Sequence, residues 1–189
     1  HEPAFARAAA RINAPIPLRR RAGGFDALLK AIVAQQLSVA SAAAIWARAE
    51  AAGFTHAQRI LSTTDLALQE VGLSRQKIKY VRALALADVD FDALAAASTE
   101  EVVGVLTQIS GIGVWTAEIY AMFSLGHQDV FPSGDLALQE AAKDLFGMTD
   151  RPSANALKTM AGDWSPWRAV AAHVLWAYYS AIKKREGIG

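Results

Sequence analysis

The sequence contains no cysteine, which excludes a disulfide framework, thiolate zinc sites, a cysteine nucleophile and any cysteine-ligated iron–sulfur cluster. Charge of one sign is scarce as well. Against 18 Asp and Glu stand 19 Lys and Arg, a net +1 that does not by itself announce a polyanion partner. Long apolar runs are missing: the longest uncharged stretch, Ala31 to Ala47, is shorter than the ~20 residues of a spanning helix and carries Gln35, Gln36, Ser38 and Ser41. No membrane partner is expected. The run Arg19-Arg20-Arg21 is followed by Asp26 and Lys30, where an export signal would be apolar, so the chain reads as cytoplasmic. Strand signals are absent too, since no segment alternates β-branched and polar residues.

What is present is a helical, globular composition. Apolar residues make up 53% of the chain and charged ones 20%, far from the regime of disorder. A length of 189 residues suits one domain or one domain of two lobes. Apolar spacing and turn residues predict about ten short helices: one from Phe25, then Ser38 to Ala52, His56 to Leu61, Thr64 to Val71 and one capped by Ser74. Others start at Ser98 or Thr99 and end near Gln108, or run over Val114 to Ser124, Asp135 to Leu145, Ser153 to Met160 and Trp167 to Lys183. In the last of these Trp167, Val170, Val174, Leu175 and Tyr178 form one stripe, and Trp176 serves a different surface. Trp164 and Trp167 are assigned to packing and Arg168 to a structural role. Basic residues cluster at Arg19 to Arg21, at Arg75, Lys77, Lys79 and Arg82, and at Lys183 to Arg185.

The most specific local signal is Leu106-Thr107-Gln108-Ile109-Ser110-Gly111-Ile112-Gly113-Val114-Trp115-Thr116-Ala117. Two helices meet at a tight turn whose glycines let backbone approach a ligand, and the second helix points its free N–H groups and positive end at that turn. Taken alone, Gly-x-Gly between helices also fits a bare interhelical turn. Twenty residues beyond Trp115 lies Asp135, in Asp129-Val130-Phe131-Pro132-Ser133-Gly134-Asp135-Leu136; an aspartate at a helix start is, alone, an N-cap.

Together the hairpin and the downstream aspartate resemble the helix-hairpin-helix DNA glycosylase superfamily, from about Phe25 to Ile182. The nearest type is the 3-methyladenine (alkylpurine) DNA glycosylase II. Its likeness is carried by Ile32-Val33-Ala34-Gln35-Gln36-Leu37-Ser38, Gly72-Leu73-Ser74-Arg75-Gln76-Lys77, Trp115-Thr116-Ala117 and Trp164-Ser165-Pro166-Trp167-Arg168. With about two dozen residues before Phe25, the chain looks like a short form without the N-terminal β-rich domain of some members. The resemblance implies an all-α, two-lobed fold with its active site in the interlobe cleft. One lobe is expected at 25–127, with the hairpin at about 106–123, and a second at 1–24 plus 128–189.

The resemblance also implies roles for individual residues. Asp135 is the catalytic carboxylate, and Trp115, Ile119 and Trp176 line the base pocket, Ile119 standing where some relatives have a tyrosine. Gln36, with Gln35 and Leu37 beside it, is the wedge that fills the space left by a flipped base; without the resemblance, Gln35 and Gln36 read as helix caps. Phosphate contacts fall to Gly111, Gly113, Val114 and Trp115. The carbonyls of Thr107, Ile109 and Ile112 match those holding a structural sodium or potassium ion in relatives. Bifunctional members place a Schiff-base lysine where Trp115 stands, and neither Lys77 nor Lys143 matches that position, so lyase chemistry is not expected.

A single carboxylate suffices when the leaving base is cationic, because an N-alkylated purine departs neutral without the acid that glycoside hydrolysis otherwise needs. The expected activity is therefore excision of 3-methyladenine- or 7-methylguanine-type bases from double-stranded DNA by a nucleoid-associated monomer, with no catalytic cofactor. Two alternatives stay open: a glycosylase for deaminated or oxidised bases, and a non-catalytic module binding DNA structures.

Overall fold

A computed structural model describes residues 2–12, 15–16 and 19–185, with side chains to Lys183. Lys184 and Arg185 of the C-terminal basic cluster, and parts of the expected second lobe, lie outside the described side chains. The chain divides into two compact units, 21–125 and 1–20 together with 126–189, a few residues from the boundaries expected at 25 and 127. Among the described residues every regular element is helical, and no helix is long and apolar enough to cross a membrane.

The chain opens with α1 (Pro3–Arg11), which belongs to the second unit. The unit 21–125 holds α2 (Phe25–Ala34), α3 (Val39–Ala51), α4 (Ala57–Ser62), α5 (Asp65–Glu70), α6 (Arg75–Leu86), α7 (Phe91–Ala96), α8 (Thr99–Leu106) and α9 (Val114–Tyr120). Local chemistry sets most starts: Ser38, Thr64, Ser74 and Asp90 each accept a backbone N–H three residues on. Ser98 and Glu101 form a reciprocal capping box. Leu28, Leu29, Ile32 and Val33 of α2 enter a core shared with Leu68, Val81, Leu84, Val102 and Leu106. The helix expected over Val114 to Ser124 is α-helical only to Tyr120 and continues as a π-helical turn, Ala121–Leu125. Sequence patterning assigns no helix to α1 or α7, whose short alanine-rich segments carry too few large apolar residues to show a period.

The other unit adds α10 (Leu136–Phe146), α11 (Ala154–Ala161) and α12 (Arg168–Arg185). Helix α12 packs on α1 and α10, and Trp164 is wedged among Phe5, Phe131 and Phe146 at centroid distances of 5.2, 5.3 and 6.0 Å. Trp164 thus packs as expected, whereas Trp167 is 56% exposed and Val170 52% exposed. Leu175 and Tyr178 of the expected stripe are buried, joined by Ala169, Ala171 and Ala172 rather than by Trp167 and Val170, in a unit whose core includes Ala4, Ala8, Ala141 and Ala142. Small residues let helix backbones approach closely, so alanines complete the packed face, which a search for large apolar side chains passes over.

Candidate active site

The loop that delivers Asp135 is held at both ends. Asp129 accepts two guanidinium hydrogen bonds from Arg168, Nε to Oδ1 at 2.6 Å and Nη2 to Oδ2 at 2.8 Å, and a third from Ser165 Oγ at 2.8 Å. The Arg168 guanidinium pulls the Asp129 carboxyl down to about 2, against the opposing effect of burial. The Ala169 amide donates to the Gln128 carbonyl, and the buried Gln139 side chain donates to the Ser133 carbonyl. Arg168 is structural, as its position suggested, and Asp129 is its partner.

With its folded value depressed below the ordinary 3.8, Asp129 contributes stability above about pH 4 that disappears as pH falls toward 2. Asp129→Asn is therefore expected to lower the melting temperature by roughly 2 to 5 °C at pH 7. Its thermal curve and that of the unaltered protein should converge between pH 4 and 2. A constant gap across that range, followed by circular dichroism, would remove the ion pair as the cause.

Asp135 is the N-cap of α10 and half-buried. Its Oδ1 accepts the Ala137 amide at 2.9 Å, the Leu138 amide at 3.2 Å and the Trp176 indole Nε1–H at 3.3 Å. Three donors on one oxygen orient the carboxylate, and the positive end of α10 favours its charge. The His173 ring packs T-shaped against Trp176 at 5.9 Å. These two sequence-predicted residues, 41 positions apart, are brought into direct contact.

In the unit 21–125, the turn between α8 and α9 is anchored from below by buried Ile109 and Ile112, the Ile112 amide donating to the Ile109 carbonyl at 3.0 Å. Gly111 has φ +96°, and a Cβ there would sit 2.3 Å from Cγ of Tyr80. Gly113 is the N-cap of α9 at φ −90°, with open space where its Cβ would stand and no side chain capping the helix. Val114 and Trp115 follow it, 54% and 46% exposed. The first-turn amides of α9 thus lie on an exposed, uncapped helix start.

The model of the HhH-GPD superfamily of base excision DNA repair proteins matches residues 29–166, a span containing both the α8–α9 turn and Asp135. The chain belongs to that superfamily. Among solved structures, a DNA-3-methyladenine glycosidase from Bacillus halodurans is 32% identical, with a TM-score of 0.86 over 96% of this chain and 86% of its own. The 3-methyladenine DNA glycosylase Mag1 of Schizosaccharomyces pombe, solved with abasic DNA, is 25% identical, with a TM-score of 0.76 over 93% and 90%. The alkylbase DNA glycosidase-like protein mag2 of the same yeast is 28% identical over 80% of this chain and 76% of its own.

The remaining candidates of this HhH-GPD chain fall as follows. Ile119 is half-buried one helical turn from Trp115 on α9. The neighbouring Tyr120 does not stand in for the tyrosine of relatives, because it is buried and its hydroxyl accepts the Gly24 amide at 2.8 Å. Burial pushes that phenol up from its ordinary value. Gln36 and Leu37 are exposed in the α2–α3 turn, Gln36 in the left-handed region at φ +55°. Gln35 differs from expectation: its Nε2 donates to the Gly111 carbonyl at 2.8 Å, which ties it to the hairpin rather than leaving it as a wedge side chain. Sequence reasoning missed Tyr80 as well, whose ring occupies the space that Gly111 vacates.

Proposed function

We propose that this chain hydrolyses the N-glycosidic bond of alkylated purines flipped from duplex DNA and leaves the strand intact. The observation carrying this reading is Asp135, aimed by two backbone amides and the Trp176 indole in a chain of the HhH-GPD superfamily. Breaking N9–C1′ sends the bond's electron pair to the cationic base, which leaves neutral. The oxocarbenium-like sugar is stabilised by the Asp135 carboxylate, water adds at C1′, and Asp135 accepts or directs its proton. The base-pocket roles of Trp115, Ile119 and Trp176 belong to this proposal and rest on their motif positions.

Two features favour hydrolysis without lyase chemistry. Lys77 donates its Nζ to the Val33 carbonyl at 2.6 Å, which occupies it as the partner of a helix-end acceptor. Lys143 lies more than two turns along α10 from Asp135, roughly 12 Å of helix rise. Lys143 is therefore too far along α10 to act as an imine-forming amine at that carboxylate, and Lys77 is committed to the end of α2. The carbonyls of Thr107, Ile109 and Ile112 offer hard oxygen donors of the kind that suit an alkali ion. The Ile109 oxygen already accepts one N–H and keeps a second lone pair for such an ion, which would stiffen the turn. The protein is proposed to act on double-stranded DNA as a monomer.

The test is incubation of one preparation with duplexes carrying methylated, etheno, deaminated and oxidised bases. Release of alkylated purines with an alkali-labile but uncut strand is expected. Excision confined to deaminated or oxidised bases, or binding without excision, would replace the reading with one of its alternatives, and a borohydride-trapped adduct would overturn the monofunctional assignment.

Trp176 has two separable jobs in this scheme: its N–H aims Asp135, and its ring attracts a cationic base by about 0.5 to 2 kcal/mol. Trp176→Phe keeps a ring and removes the N–H, so single-turnover excision should fall roughly three- to tenfold on cationic 7-methylguanine and on neutral hypoxanthine alike. Trp176→Ala should add a further loss, roughly three- to thirtyfold, on the cationic lesion only. Equal losses for both variants on both lesions would reduce Trp176 to packing.

A further inference from the structure

We propose that Gln35 is a positioning residue that clasps the α2–α3 turn to the α8–α9 hairpin and so fixes where Gln36 projects. The consequence for DNA rests on the glycosylase reading above; the clasp itself is a property of the fold. Gln36 adopts φ +55°, a conformation that a residue with a side chain rarely holds unless its surroundings impose it. Two side chains impose it here. Gln35, immediately before it, donates to the Gly111 carbonyl at 2.8 Å, a contact spanning 76 positions. Lys77 of α6 donates to the Val33 carbonyl at 2.6 Å, satisfying an end-of-helix acceptor of α2 just upstream of the turn.

The same helix α6 supports the other side of the clasp, since Tyr80 lies one turn beyond Lys77 and its ring fills the space beneath Gly111. The hairpin and the Gln36 turn therefore share one platform and one direct hydrogen bond. A displacement of either is transmitted to the other, so gripping the backbone and filling the vacated base position are coupled rather than independent. The side chain that motif position assigns beside the wedge acts through its neighbour.

The test compares Gln35→Ala and the isosteric Gln35→Glu, which keeps the packing and loses the donor, with the unaltered protein. Hydrogen exchange at the Leu37 and Ile112 amides, each bonded within its own turn, reads the clasp directly. Both should exchange faster in both variants while α10 and α12 are unchanged; acceleration at only one turn, or at neither, overturns the clasp. The second arm measures single-turnover excision of one alkylated purine, either paired in a duplex or opposite an abasic site where no base pair must be broken. Gln35→Ala should slow the paired substrate roughly three- to tenfold and leave the unpaired one within about twofold. Gln36→Ala should show the same asymmetry, and the double variant should be no slower than Gln36→Ala alone. Equal losses on both substrates, or additive losses in the double variant, overturn the inference. If the unaltered protein excises neither substrate, the glycosylase reading falls and the exchange arm alone decides the clasp.

Discussion

Asp135→Asn is expected to slow alkylpurine excision on the order of 10² to 10⁴-fold while affinity for abasic DNA stays within a few-fold. The substitution is unusually clean at this position. Asparagine caps a helix as well as aspartate does, so the amides of Ala137 and Leu138 keep their acceptor and α10 keeps its start. Under the proposed function, what is removed is the negative charge that stabilises the developing sugar cation and the basicity that directs water. Binding should survive, because affinity for DNA comes chiefly from neutralising phosphates, to which a carboxylate contributes nothing favourable. Asp135→Ala is the wrong comparison, since it also costs about 1 kcal/mol of helix capping and removes the hydrogen bond from the Trp176 indole. Single-turnover kinetics with saturating enzyme, set beside titration of abasic duplex, decide the matter. An Asn variant excising at near the unaltered rate would leave Asp135 as a cap and nothing more.

The second large effect separates two glycines that look equivalent in the Gly111-Ile112-Gly113 motif. At Gly111 any Cβ would stand 2.3 Å from Cγ and 2.6 Å from Cβ of Tyr80, and φ +96° is a conformation that alanine adopts only with strain. Gly111→Ala should therefore lower unfolding free energy by about 2 to 4 kcal/mol, combining that strain with overpacking. By displacing the turn it should also weaken abasic-DNA binding by on the order of tenfold. Adding Tyr80→Ala should restore only the part of the stability owed to the ring contact, since the Cβ at 80 still stands 2.6 Å away, and not the part owed to φ. At Gly113, φ −90° and open space admit a Cβ, so Gly113→Ala should melt within about 0.5 kcal/mol of the unaltered protein. Any loss it shows must then appear in DNA affinity, the sign of a backbone approached closely by phosphate. Identical denaturation curves for the two alanine variants would refute this division of labour.

Much of the fold was legible because its signals are local. Ser74, and Ser98 with Glu101, announce helix starts through bonds made three residues away, and the Phe25 helix shows its core face in Leu28, Leu29, Ile32 and Val33. The Gly-x-Gly turn and the aspartate twenty residues beyond Trp115 could be read for the same reason. Other features escaped because no local pattern encodes them. Trp167 and Val170 fit an apolar stripe, yet alanines complete the face of α12 that packs. The extra helices α1 and α7 are nine and six residues long and bury only Ala4 and Ala8 or Leu94, so few large apolar side chains mark them.

The sequence by itself determined the helical class, the hairpin, the position of the carboxylate and, through the missing cysteines, the thiolate chemistries that are closed to this sequence. Only the tertiary structure decided what those residues do to one another. Trp176 meets Asp135 across 41 positions, Arg168 meets Asp129 across 39, and Gln35 meets Gly111 across 76. Each depends on how two elements are packed and on which rotamer that packing leaves. Caps and turns are short-range, with donor and acceptor linked by a few bonds whose geometry the residue types dictate. A hydrogen bond between distant segments has no such tether: its two ends are brought within 3 Å or so only after burial of apolar faces has set the helices in place.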